Sequence, residues 1–173
     1  MKATVPGMAL LLAAASFAPL SAQAATYSNG TATATFLVSL TITSSCTVSA
    51  NALAFGSKGL LTTAATGSTT LSVTCSNTTP YNIGLNAGTG TGSTASARLL
   101  TGTTTGNTTT TVSYKLMQDS ALTTNWGTTQ GTDTVAGTGT GSAQTVTIYG
   151  QVPTQTTPAP DTYQSTVTAT VYF

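Results

Sequence analysis

Short runs of alternating apolar and polar residues recur along the chain, and this period of two is typical of half-buried β-strands. The most apolar run covers residues 31–42, and one of its faces is almost wholly apolar. That face carries Ala34, Phe36, Val38, Leu40 and Ile42. The opposite face carries Thr33, Thr35, Leu37, Ser39 and Thr41. The alternation predicts a strand with one strongly apolar side. By itself it fits equally an ordinary first strand that packs on its own core.

Further strands are predicted after this run, and turn residues separate them. They cover residues 46–48 with a continuation at 53–55, then 69–75, 81–85, 98–100, 112–117, 143–150 and 163–173. No stretch sustains the 3.6-residue period of a helix. Seven or so short strands with frequent turns predict an all-β, Ig-like sandwich. Trp126 lies outside the cysteine pair, so the pattern of a true immunoglobulin domain is absent.

The first 24 residues have the pattern of an export signal. Lys2 precedes a short apolar core at residues 8–18, and Ala22-Gln23-Ala24 supplies the small-x-small cleavage pattern. We therefore expect a mature chain that starts at Ala25. The apolar run is shorter than the roughly 20 residues of a membrane-spanning helix. A buried N-terminal helix is the alternative, but nothing caps it and Thr-rich strand follows directly.

Charge is scarce, and threonine is abundant. Without Lys2, three cations balance three aspartates, whereas 44 of the 173 residues are Thr. Thr is stiff at χ1 and favours strands. The near-neutral surface offers no basic patch for nucleic acid and little repulsion between copies, so it tolerates self-assembly. The Thr/Gly tracts at 88–94 and 101–111 are predicted as loops and solvated strands rather than disordered linkers, because apolar alternation resumes after each.

The chain has two cysteines, Cys46 and Cys75. In an exported protein they predict a disulfide, which would close a loop of about 30 residues and contribute roughly 3–4 kcal/mol. A metal site is the rival interpretation. The chain has no His and no carboxylate cluster that could complete one, so no metal site is expected.

Residues for catalysis are lacking. The chain has no His and no Glu, and its three Asp residues are scattered over the second half. A Ser nucleophile would have no general base, and the Gly-rich segments lack a phosphate-binding lysine. We therefore expect no enzymatic activity, no cofactor and no small-molecule substrate.

Five stretches in order resemble the spore coat protein U domain family, whose members include subunits of Csu-type archaic chaperone–usher pili. They are residues 42–48 around the first cysteine, 71–75 around the second, 114–121 with the following Trp126-Gly127, 146–150, and the C-terminal strand at 163–173. The resemblance covers nearly all of the mature chain. Two departures are Ser165, where relatives often carry Asp, and Met117 in place of a common aromatic residue.

The resemblance implies an incomplete Ig-like sandwich that lacks its last strand. It divides the chain into a signal peptide (1–24), an N-terminal donor-strand extension (25–43) and a pilin domain (44–173). A periplasmic chaperone would fill the open groove, and an outer-membrane usher would exchange it for residues 34–42 of an identical neighbour. The product would be a pilus on a Gram-negative-type cell surface that supports adhesion and biofilm formation. A spore or cyst coat protein, or a surface adhesin or lectin-like module, are the alternatives.

Overall fold

The computed structural model describes residues 29–173, and all their regular structure is β-strand. The nine strands are β1 Cys46–Ala50, β2 Ala65–Cys75, β3 Pro80–Leu85, β4 Arg98–Gly102, β5 Thr111–Met117, β6 Val135–Thr138, β7 Gln144–Val152, β8 Tyr163–Gln164 and β9 Ala169–Tyr172. The predicted signal peptide and residues 25–28 of the predicted extension lie outside the described residues. Over the described range no helix is long and apolar enough to span a membrane.

The strands form two antiparallel sheets. One has six strands in the order β1-β2-β7-β5-β4-β8, and the other has three in the order β6-β3-β9. The prediction of an all-β fold is confirmed. β6 was not predicted, because Val-Ala-Gly-Thr has no apolar alternation. The segment predicted as one strand over 163–173 divides, since β8 pairs with β4 whereas β9 pairs with β3.

The core lies between the inner faces of the sheets. Trp126, Ile83 and Val73 are fully buried in it, and the Trp126 indole N–H donates a hydrogen bond to the Ile83 carbonyl at 2.8 Å. Burial of this N–H therefore costs no hydrogen bond. The predicted disulfide is present between Cys46 and Cys75, which are directly opposed in the β1–β2 pair. It ties the edge strand β1 to the sheet.

The chain after β1 crosses the inner face of the six-stranded sheet instead of continuing along its edge. Leu53 and Phe55 pack there over two glycines, Gly67 and Gly150, which are opposed in the β2–β7 pair. A Cβ atom at Gly150 would collide with the Leu53 side chain. The strand continuation predicted at 53–55 is therefore not a strand, although its side chains point into the core as the alternation indicates.

Candidate functional site

Two strand edges face each other without pairing. β1 is an outer strand of the six-stranded sheet, β9 is an outer strand of the three-stranded sheet, and their Cα atoms approach within 8 Å. No ladder joins them. The sandwich is therefore open along one seam, between the segment 46–56 and the segment 163–173.

Main-chain groups of the last segment point into this seam. The N–H groups of Thr166 and Thr168 bond to the side chains of Thr89 and Asn86, on the β3 side. Because successive residues of a strand direct these groups to opposite sides, those of Ser165 and Val167 face the seam. Within the described part of the chain, the main-chain groups of these two residues make no hydrogen bond.

The β1 edge has the same property. The Ser45 carbonyl accepts from Ser76 N–H, and Asn51 N–H donates to the Thr70 carbonyl, so odd-numbered residues face β2. The main-chain groups of Val48 and Ala50 consequently face the seam. Unsatisfied ladders on both sides of a gap are what a missing strand leaves behind.

An apolar groove of about 240 Å³ lies below the seam. Its apolar lining comes from both sheets and from the segment after β1, and consists of Ala50, Ala52, Leu53, Phe55, Leu71, Leu85, Leu100, Tyr114, Leu116, Ile148, Val167 and Ala169. The Phe55 and Tyr114 rings meet edge to face with centroids 6.5 Å apart. The groove presents apolar surface that a second apolar element could cover.

Burial along the seam is incomplete at inward-pointing positions. Val48 is 38% exposed although its partner Val73 in the β1–β2 pair is 0% exposed. On the other edge, residues 161–171 alternate strictly between half-buried and exposed. The half-buried side chains point inward like core residues, but each is still partly exposed to solvent. They are those of Tyr163, Ser165, Val167, Ala169 and Val171. An added strand would complete their burial.

A buried arginine holds the loop after β3, which lies beside the segment 163–173. Arg98 is 0% exposed, and its guanidinium donates hydrogen bonds to the carbonyls of Leu85, Asn86, Ala95 and Trp126. Burial lowers the pKa of Arg98, because desolvation penalises the charged form. The Asn86 amide oxygen in turn accepts from Gly88 N–H and Thr168 N–H. Arg98 therefore holds the loop that positions the open edge.

Sequence reasoning did not find Arg98. It assigned residue 98 only to the start of a strand, and a lone charge in a Thr-rich chain is normally a solvated one. Only the structure shows its position: Arg98 pairs with Tyr114 across β4 and β5 and therefore lies at an inward position of the sheet.

The residues predicted as the donor face are solvent-exposed in the single chain. Phe36, Val38, Leu40 and Ile42 are 86%, 79%, 85% and 81% exposed. Residues 29–45 carry no strand, so the strand predicted over 31–42 has no partner here. Four large apolar side chains in water are costly, at roughly 25 cal/mol per Å² of apolar surface. The segment has the properties of one that is buried elsewhere.

Two carboxylates near the sheet ends are held by hydrogen bonds. The Asn107 amide at 2.6 Å and the Thr104 hydroxyl at 2.7 Å hold the pKa of Asp161 far below its usual range. The N–H groups of Thr124 and Thr123 similarly lower the pKa of Asp119. Both groups stay ionised in moderately acidic solution.

These shifts predict the pH dependence of stability. A depressed pKa in the folded state contributes stability above the unfolded pKa of about 4, and the contribution is lost as pH falls through the folded pKa. The chain has no His or Glu. We expect the free energy of unfolding in urea to be constant between about pH 5 and 8 and to fall only below about pH 4. In Asp161→Asn the free energy of unfolding should fall less steeply below about pH 4. A decline that starts near neutral pH would show that these two aspartates do not set the pH dependence of stability.

Comparisons with known proteins agree with this geometry. A family model described as Spore Coat Protein U domain matches residues 32–170. No curated protein matches the chain. Among solved structures, one similar chain occurs in the CsuC–CsuE chaperone–tip adhesion subunit pre-assembly complex from archaic chaperone–usher Csu pili of Acinetobacter baumannii.

The structural match has a TM-score of 0.52 at 20% sequence identity. It covers 77% of this chain and 40% of the solved chain. At this identity the likeness concerns the fold. The match spans less than half of the solved chain's length.

Proposed function

The chain belongs to the Spore Coat Protein U domain family, and from this premise we propose that it is a structural subunit of a surface pilus. Residues 1–24 act as an export signal, residues 25–43 form the donor extension, and residues 44–173 form the pilin domain. A periplasmic chaperone and an outer-membrane usher deliver each subunit to the next. The role is structural, and the filament supports adhesion and biofilm formation.

One observation supports donor-strand assembly most directly: an apolar groove lies between two unpaired edges whose main-chain groups face it. A single inserted strand can bond to both edges if they move apart from within 8 Å to about 10 Å, the separation that two ladders of about 4.8 Å require. Its side chains would cover the half-buried positions of the last segment. Strand addition of this kind draws affinity from the ladder and specificity from alternate side chains.

Length and chemistry of the segment fit the groove. Residues 34–42 and residues 163–171 each contain nine residues, so as strands both span about 30 Å at 3.3 Å per residue. Each presents five inward positions. Burying Phe36, Val38, Leu40 and Ile42 stabilises an assembly by about 6–12 kcal/mol as an upper range, before the costs of association. The segment therefore carries enough apolar surface for a lasting junction.

The proposal is tested by supplying the strand as a peptide. A chain without residues 1–43 should stay monomeric and bind a peptide of residues 32–43. At a peptide concentration of 100 times Kd, stabilisation of about 2.7 kcal/mol should raise Tm by about 8–10 °C. Calorimetry and size-exclusion chromatography measure both effects.

The matched control is a peptide of the same composition in which Phe36 is exchanged with Thr33 and Leu40 with Ser39. Neither face of this peptide keeps four large apolar side chains in any register, while length and charge stay constant. Binding of both peptides with equal affinity, or polymerisation of the truncated chain alone, would rule out donor-strand assembly through residues 34–42.

A further inference from the structure

The proposed donor segment lies next to its own groove in sequence. Only Thr43, Ser44 and Ser45 separate it from β1. Three residues are a common length for a β-hairpin connection. A hairpin here would oppose Ile42 to Cys46 and Leu40 to Val48. Both pairs keep apolar side chains inward and match the free main-chain groups of β1. The register therefore permits the segment to fold onto its own subunit.

Mass action would favour such self-insertion. A segment held by a short flexible linker has an effective concentration in the millimolar range. Subunits at micromolar concentration offer their segments at about a thousandth of that. If nothing opposed the hairpin, the segment would occupy its own groove and assembly would stop. Yet Leu40 and Ile42 are exposed in the structure.

Ser76 contacts the connection at both of its ends. The Ser76 hydroxyl accepts from Ser45 N–H at 3.1 Å, and it lies 3.3 Å from the Ser45 carbonyl and 3.4 Å from the Thr43 carbonyl. Ser76 N–H donates to the Ser45 carbonyl at 2.9 Å. The main-chain groups of Thr43 and Ser45 therefore point toward Ser76, in the same way that the odd-numbered residues of β1 point toward β2. The Cys46–Cys75 disulfide fixes the adjacent residue pair.

We propose that Ser76 is a positioning residue that prevents self-insertion and keeps the donor segment available for a second copy of this chain. A hairpin at residues 43–45 requires the Thr43 carbonyl to turn away from Ser76, so the anchor and the hairpin exclude each other. The inference rests on the proposed function, because it assumes that residues 34–42 fill the groove of a neighbour.

The test is Ser76→Ala in the full chain, purified as a monomer below micromolar concentration. Ser72→Ala is the matched control, since Ser72 lies in β2, which ends one residue before Ser76, and its hydroxyl makes no hydrogen bond within residues 29–173. We expect the ratio of self-inserted to extended monomer to rise about tenfold, or about 1.4 kcal/mol. Amides of residues 36–42 should gain protection from hydrogen exchange, Tm should rise, and affinity for the peptide of residues 32–43 should fall, by at most tenfold, because only the extended monomer binds the peptide.

The direction of the Tm shift separates this role from a purely structural one, because loss of a stabilising hydrogen bond alone lowers Tm. A second variant inserts two glycines between Thr43 and Ser44, which leaves Ser76 intact, and it should reproduce the gain in protection. Adding Leu40→Asp to Ser76→Ala should reverse it. If both variants match Ser72→Ala while the truncated chain binds the peptide, this inference fails and the proposed function stands. If the truncated chain does not bind the peptide, the proposed function itself fails.

Discussion

Replacement of Leu40 with Asp is expected to abolish filament formation. Leu40 lies in the middle of the apolar face of the proposed donor segment, and its burial in the groove of a neighbour would contribute about 1.5–3 kcal/mol. A carboxylate in an apolar groove adds a desolvation cost of several kcal/mol. Together these effects exceed about 5 kcal/mol and lower the association constant by several thousandfold or more. Size-exclusion chromatography with light scattering and negative-stain microscopy measure the outcome.

Leu37→Asp is the matched control, because it introduces the same charge three residues away on the opposite face. Leu37 is 89% exposed, and in an inserted strand its side chain would point to solvent. This variant should polymerise normally. Both variants should still bind the chaperone, since neither alters the groove. Equal loss of assembly in the two variants would show that the assignment of the donor face is wrong.

Alternation predicted most strands because each has one face on a single core. Thr69 to Cys75 and Val112 to Met117 lie within β2 and β5, where inward side chains such as Val73 and Leu116 are buried. The division of the last segment could not be predicted in this way. The alternation runs unbroken from residue 163 to residue 171, but the first end of the segment pairs with β4 and the last end pairs with β3. Partner choice depends on contacts distant in sequence.

The residues proposed as the donor face form a pattern that is visible in the sequence, whereas the groove is visible only in the structure. Five inward positions in one short segment are visible as a local pattern. The groove is a gap between residues far apart in the chain, such as Leu53, Leu85 and Val167. Its position depends on how Leu53 and Phe55 cross the sheet over Gly67 and Gly150. The family resemblance supplied the expectation of a missing strand, and the two unpaired edges now give that expectation a location.

Arg98→Met is expected to lower the free energy of unfolding by about 3–5 kcal/mol, although Met fills much of the same volume. Replacing a buried charge with an apolar side chain can stabilise a protein when its partner is replaced as well. Here the acceptors remain: carbonyls of Leu85, Asn86 and Trp126 lose their donor, and each unsatisfied buried group costs about 1–3 kcal/mol. The orphaned carbonyls should therefore outweigh the desolvation that is saved. Urea unfolding monitored by Trp126 fluorescence measures the change.

Arg98→Lys distinguishes hydrogen-bond geometry from charge. Lysine keeps the positive charge, but a single ammonium cannot reach carbonyls that surround a planar guanidinium fork. We expect an intermediate loss of stability. Because Arg98 holds Asn86, and Asn86 binds Thr168 N–H, peptide affinity should fall in Arg98→Lys under conditions where the domain is still folded. A loss below about 1 kcal/mol for Arg98→Met would mean that the loop relaxes to expose its carbonyls to water, and in that case the open edge of the groove does not depend on Arg98.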